Sequence, residues 1–91
     1  MYKYKIKEIL GGLTTIEYKI LMKALPEILN ISHNTFYNYI KLDINDKRDI
    51  PYTIIVKCEK ILGVKPGELA NFPLTAPHYS SLVTEYRRIE V

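Results

Sequence analysis

The chain has 91 residues, of which 47% are hydrophobic and 25% are charged, and its net charge is +3. This length has room for one domain and no more, and the composition is that of an ordinary globular protein. The single cysteine, Cys58, cannot form an internal disulfide, and no run approaches the ~18 apolar residues of a membrane span. With no secretion signal visible, we expect a cytoplasmic protein. The small positive charge fits a nucleic-acid partner, and it fits a solubility role equally well.

The N-terminal segment, residues 1–13, allows two interpretations. Apolar residues alternate with lysines over residues 2–7, which is typical of a strand, whereas the apolar residues from 6 to 13 have the spacing of a helix. We expect a short helix that ends at Gly11. The lysines form either a solvated edge, which is the default for a terminus, or a basic arm along a DNA backbone. They are Lys3, Lys5 and Lys7.

A capping box opens the next predicted helix, because Thr14 and Glu17 have the T-x-x-E spacing in which each side chain bonds the other residue's backbone N–H. Pro26 interrupts this helix in our prediction, since proline is tolerated only in the first turn. We therefore expect a second, short helix to begin near Leu25 and Pro26. One side of the helix that the capping box opens is apolar and carries Ile16, Ile20, Leu21 and Ala24.

A tight turn and a third helix follow. Asn30 tolerates the left-handed conformation that ends many helices, and Ser32 is a good N-cap for a helix over residues 33–42. On a wheel of ~100° per residue, Phe36, Tyr39 and Ile40 share one face and are predicted to be buried. The opposite face is polar and carries Asn34, Tyr37, Asn38 and Lys41, with His33 at its border.

The second half of the chain contains a polar loop and further predicted helices. We expect Asp49 to cap a fourth helix, with Pro51 in its first turn and Gly63 at its end. A short fifth helix is predicted over residues 66–72, and Cys58 is predicted to lie in the core. The tail after Pro73 is either a helix or a strand, and it is our candidate dimer surface. Its apolar residues are Tyr79, Leu82, Val83, Tyr86 and Ile89.

The polar face of the third helix has the chemistry of a major-groove surface. Asparagine pairs with adenine, lysine donates to guanine or phosphate, and histidine offers a donor. No acidic residue lies between Glu27 and Asp43, so nothing on this helix repels phosphate. The alternative is an ordinary solvated face, which the adjoining turn and caps make less favoured.

Residues 25–42, LPEILNISHNTFYNYIKL, resemble the helix-turn-helix of the lambda repressor and Cro superfamily, also called Xre-like. Residues 50–72, IPYTIIVKCEKILGVKPGELANF, are similar to the fourth helix, Gly-Val stop and fifth helix of that family. The resemblance implies an all-α, lambda-repressor-like five-helix DNA-binding domain over residues 14–72, with short extensions at residues 1–13 and 73–91. The chain departs from the family at Pro26 and Asn30, where alanine and glycine are usual.

The resemblance also implies site residues and a function. The expected base contacts are His33, Asn34, Tyr37 and Asn38. The resemblance implies Thr35 and Lys41 as phosphate contacts. Independently of it, we expect phosphate contacts from Ser32, at the start of the helix, and from Lys47 and Arg48, in the loop beyond it, although three aspartates surround the last two. We expect a bacterial or phage transcriptional regulator that binds double-stranded DNA as a homodimer. The alternative is an antitoxin-like or adaptor module that binds protein. No sequence pattern indicates an enzyme, a cofactor, a metal site or a small-molecule ligand.

Overall fold

The computed structural model describes residues 1–73 and 75–90, with side chains as far as Arg87. This part of the chain contains no strand, only two isolated bridges that join Tyr2 to Asp43 and Tyr4 to Ala70. The prediction of an all-α protein is therefore confirmed. The helices are α1 (Ile6–Gly11), α2 (Thr15–Leu29), α3 (His33–Ile40), α4 (Tyr52–Leu62) and α5 (Tyr79–Glu90).

The N-terminal segment combines the two predicted conformations. Its first residues are extended and α1 begins at Ile6. The extended part lies between two distant segments, because the Lys3 N–H donates to the Leu42 carbonyl and the Lys5 N–H donates to the Leu69 carbonyl, both at 2.7 Å. The Lys3 carbonyl in turn accepts the N–H of Asn71 at 2.9 Å. These bonds join the loop after α3 to the segment after α4.

Helix α2 begins as predicted but does not break at Pro26. The capping box of Thr14 and Glu17 is present in both directions. The helix is continuous to Leu29, so the prediction of a new helix near Leu25 and Pro26 is wrong. Because the proline ring is fully buried beside two buried leucines, core packing offsets the missing backbone hydrogen bond and the clash of the ring with the preceding turn, which together cost about 3 kcal/mol or more. Asn30 ends α2 in the left-handed conformation, with φ 56°, as predicted.

Two predictions about the second half of the chain are wrong. Asp49 does not cap α4, which begins after Pro51 with no side-chain cap. The carboxylate of Asp49 instead accepts hydrogen bonds from the Tyr4 hydroxyl and from the backbone N–H of Ile50. Residues 66–72 form turns and not a helix, because Gly67 has φ 85° and the backbone groups that follow it bond to the N-terminal segment.

The ends of α4 and the tail complete the helical set. Gly63 terminates α4 with φ 69°, as predicted. Of the two conformations predicted for the tail, helix or strand, the structure has the helix, α5. The side chain of Ile89 lies outside the described residues. Among the described helices, none combines the length and apolar character that a membrane span requires.

The core lies where α1, the C-terminal half of α2, α3 and α4 meet. Cys58 is buried as predicted, and burial raises the pKa of its thiol to about 11. The isoleucines of the first half of α2, Ile16 and Ile20, are exposed, because they lie on the side of the helix opposite Leu25. The largest fully buried side chains are Ile6, Leu10, Leu25, Pro26, Phe36, Ile40, Cys58 and Leu69.

Candidate nucleic-acid interface

Helix α3 is held at its start by two hydroxyl side chains. The Ser32 Oγ accepts the backbone N–H of Thr35 at 3.0 Å and donates to the Thr35 Oγ1 at 2.9 Å. The predicted N-cap is therefore confirmed. Both hydroxyls already form hydrogen bonds within the cap. A phosphate would therefore have to bind them in addition to these hydrogen bonds.

The two faces of α3 are separated as the helical wheel predicts. Phe36 and Ile40 are fully buried, and Tyr39 is half-buried beside them. This packing fixes the rotation of the helix about its own axis, so the opposite side faces solvent. All four predicted base-contact residues are exposed: Asn34, Tyr37 and Asn38 lie on that side, and His33 lies at its N-terminal border.

Tyr37 and Lys41 form a pair on the outer face of α3. The Lys41 Nζ donates to the Tyr37 hydroxyl at 2.6 Å and lies 3.9 Å from the centre of its ring. The hydrogen bond and the positive charge lower the pKa of the Tyr37 phenol. The ammonium group is thus held on the predicted contact surface, where it can attract a phosphate oxygen.

The loop after α3 holds its own charges in pairs. The Arg48 guanidinium donates to both carboxylate oxygens of Asp46, at 3.1 Å from Nε and 2.8 Å from Nη2. These contacts lower the pKa of Asp46 to about 2. Arg48 remains exposed, but its charge is shared with Asp46, whereas Lys47 is exposed and makes no salt bridge within the described residues.

Lys3 has a structural role that the sequence analysis missed. Its side chain is only 9% exposed, and its Nζ donates to the backbone carbonyls of Asp46 at 2.7 Å and Arg48 at 2.5 Å. It therefore anchors the loop after α3 and is not part of a basic arm. The alternation of residues 2–7 gives no signal for this anchor, because an extended segment places Lys3 on the face opposite the buried Tyr4 and so predicts that Lys3 is exposed.

Each aspartate of the loop is engaged by another group of the chain. Asp43 lies 3.9 Å from the N-terminal amine of Met1, and Asp46 is paired with Arg48. Asp49 accepts the hydroxyl of Tyr4; burial, followed by this bond and the charge of Asp49, raises the pKa of that phenol. The repulsion that free carboxylates would exert on DNA is therefore reduced at Asp43 and Asp46, which lie beside positive charges, whereas the donors to Asp49 are neutral groups.

A depression of about 460 Å³ lies between α3 and this loop. It brings together three of the predicted contact residues, Thr35, Asn38 and Arg48. His33, Asn34 and Lys47 do not line it. The predicted site is thus one helix face with a groove along one side.

Comparison with protein-family models, with curated proteins and with solved structures finds no match. The described residues contain no group of three or more histidine, cysteine, aspartate or glutamate side chains that could hold a metal ion. The function of the chain is therefore inferred from its own geometry.

Proposed function

We propose that this chain is a sequence-specific DNA-binding protein with a lambda-repressor-like fold, and that it regulates transcription in a bacterium or phage. The observation that carries the proposal is the outer face of α3. Three exposed side chains with hydrogen-bonding groups, Asn34, Tyr37 and Asn38, lie opposite the buried stripe of the helix, and the exposed His33 borders them at the N-terminal end. No acidic residue occurs from residue 28 to residue 42.

The dimensions of α3 suit the major groove. An α-helix with its side chains is about 10–12 Å in diameter, which matches the groove width of about 12 Å. Asn34 and Asn38 lie one turn apart, so each amide can form the bidentate pair with adenine N6 and N7. His33 offers a ring donor at the N-terminal end, and the Tyr37 ring can contact a thymine methyl group.

Phosphate contacts would surround this helix. Lys41 and the exposed Lys47 supply the charge, Arg48 exchanges the carboxylate of Asp46 for a phosphate oxygen, and Ser32 and Thr35 add hydroxyl groups. A net charge of +3 gives one copy little affinity. A twofold dimer that reads two half-sites about 34 Å apart supplies the rest.

Selection of bound sequences from a random duplex pool tests this function. We expect one enriched motif, and binding that weakens steeply as salt rises, with a slope close to −0.9 for each phosphate contacted. Replacing Asn34 and Asn38 together by alanine removes the preference for the motif, at about 1–3 kcal/mol for each lost base contact. Thr53→Ala, an exposed polar change on α4, is the matched control and leaves selection intact.

One observation favours a second function, a protein-binding module of the antitoxin or adaptor type. Two of the cations beside α3, Lys41 and Arg48, already contact groups of the same chain, which leaves fewer charges free for phosphate. The same assay separates the two functions. Absence of detectable duplex binding at about 50 mM salt, where phosphate contacts are strong, contradicts the DNA-binding proposal and favours this module.

A further inference from the structure

Helix α5 presents an apolar stripe that the rest of its own chain does not cover. Tyr79, Leu82, Val83 and Tyr86 share one side of the helix, and their exposed fractions lie between 39% and 71%. Every other side chain described on α5 is also exposed. An isolated helix of twelve residues is only marginally stable in water, so α5 requires a partner surface.

A cleft in the body of the molecule has matching chemistry on its walls. It has a volume of about 460 Å³, and its walls are formed by α4, the segment after α4 and Tyr4. Apolar side chains such as Ile55, Leu69 and Phe72 line most of it. Two acidic residues, Asp49 and Glu59, also line it.

The carboxyl groups of the cleft have no cation of their own. Glu59 is buried, and its Oε2 accepts only the backbone N–H of Gly67 among the described residues, at 2.6 Å. Within the described part of the chain, neither Glu59 nor Asp49 forms an ion pair with a lysine or arginine. A buried carboxylate without a counter-ion is costly, so the cleft favours an apolar partner that brings a positive charge.

Helix α5 has that combination. Arg87 is exposed and lies about 40° around the helix from Val83, at the edge of the apolar stripe. Leu82 and Tyr86 can enter the cleft while the Arg87 guanidinium reaches its acidic wall. A guanidinium suits this position, because it pairs with carboxylates in a planar, two-pronged geometry.

The linker between the cleft wall and α5 is short and contains two prolines. They are Pro73 and Pro77, while residues 75–78 have no regular structure and Phe72 already lines the cleft wall. Prolines restrict φ and favour an extended chain. The molecule is accordingly elongated, with principal extents of 62 × 24 × 23 Å. A short, stiff connection of this kind favours exchange of the helix between two copies.

The buried area also favours exchange. Two tyrosines of about 150–250 Å² each, with the leucine and valine between them, give α5 roughly 400 Å² of exposed apolar surface. Two α5 helices packed on each other would bury about half of the roughly 800 Å² per partner of a stable interface. If each copy inserts α5 into the other's cleft, every copy contributes both a helix and a cleft, and the area approaches about 800 Å² per partner.

We propose that two copies of this chain form a twofold dimer by reciprocal insertion of α5, with Leu82, Tyr86 and Arg87 of one copy in the acidic, apolar cleft of the other. The inference deepens the proposed function, because it identifies the surfaces that hold two recognition helices together. It is tested without DNA, so its failure is distinct from the failure of DNA binding.

Disulfide trapping identifies the contact. One population carries Tyr52→Cys, at an exposed residue of the cleft, and a tagged population carries Val83→Cys in the stripe of α5. We expect a cross-linked dimer when the two populations are mixed and none from either alone, since the native Cys58 is buried. Cross-linking of the Val83→Cys chain with itself overturns the proposal in favour of α5 packed on α5. A third chain carries both Tyr52→Cys and Val83→Cys. An intrachain disulfide in this chain overturns the proposal in favour of a monomer whose α5 contacts its own cleft.

Sedimentation of the full chain measures the energetic role of the stripe. Leu82→Asp places a charge on the stripe, whereas Ser81→Asp places the same charge about 140° from Tyr86 and is the matched control. We expect Leu82→Asp to raise the dimer dissociation constant at least about tenfold, as loss of a central apolar contact does. Glu59→Gln, which keeps an acceptor for Gly67, raises it less. A monomeric wild-type chain, or equal effects of the two aspartates, overturns the proposal.

Discussion

Replacement of Lys3 by methionine tests whether a buried ammonium group holds the loop beside α3. Methionine keeps the unbranched apolar stem and removes only the charged end. The carbonyls of Asp46 and Arg48, which accept the Nζ at 2.7 and 2.5 Å, then lose their donor. We expect the loop to loosen and the whole domain to lose stability.

The size of this effect follows from the two bonds. A hydrogen bond that involves a charged group contributes about 1.5–3 kcal/mol. Part of the lost stability is recovered, because burial of methionine does not carry the desolvation cost of a buried ammonium group. We expect a net loss of about 2–3 kcal/mol. The total free energy of unfolding for a chain of this length is about 5–14 kcal/mol. For a domain of this size, about 2 kcal/mol lowers Tm by roughly 8–16 °C.

Urea denaturation of Lys3→Met and of Lys5→Met gives the comparison. Lys5 is half-buried, and its Nζ makes no hydrogen bond to the described residues, so its variant should stay within about 0.5 kcal/mol of wild type. Equal losses in the two variants, or no loss in Lys3→Met, would refute the anchoring role of the ammonium group.

Four further outcomes are expected from unfolding measurements. Because burial raises the pKa of the Cys58 thiol from 9.0 to about 11, the contribution of this thiol to the free energy of unfolding is constant below pH 9.0 and falls between these values. Urea titrations in Cys58→Ala lose that part of the pH dependence; an unchanged slope contradicts the assignment. Tyr4→Phe removes the donor to Asp49 and lowers stability by about 1 kcal/mol. Asn30→Ala lowers it by about 1 kcal/mol, because alanine is strained at φ 56°, and a thermal melt identical to wild type would contradict this. Ser32→Ala removes the cap of α3 and lowers helicity and stability by about 0.5–2 kcal/mol, measured by circular dichroism during melting.

The features that the sequence predicted correctly are local. The capping box at Thr14, the N-cap at Ser32 and the left-handed residues Asn30 and Gly63 each depend on a few neighbouring residues. The orientation of α3 was also predictable, because its apolar residues repeat with the helical period and leave one polar face. These signals determine how the candidate site is presented.

The predictions that were wrong depend on distant parts of the chain. Pro26 remains inside α2 because a fully formed core surrounds its ring, which the local rule for proline does not consider. Residues 66–72 resemble a short helix by composition, but the N-terminal segment takes their backbone hydrogen bonds. The role of Lys3 depends on carbonyl groups more than forty residues away, so no local pattern contains it.

The extended N-terminal segment also sets the order in which this protein can be completed during synthesis. Its backbone bonds to residues 42 and 69, and the Asn71 side chain bonds to the Tyr2 carbonyl across 69 positions of sequence. Closing loops of this length is slow compared with forming the local helices. The full set of backbone partners of this segment is therefore present only after Asn71 has left the ribosome, although α3 itself is made much earlier. A nascent chain that ends before this residue would carry α3 and its loop without the bonds that hold the N-terminal segment to residues 69–71.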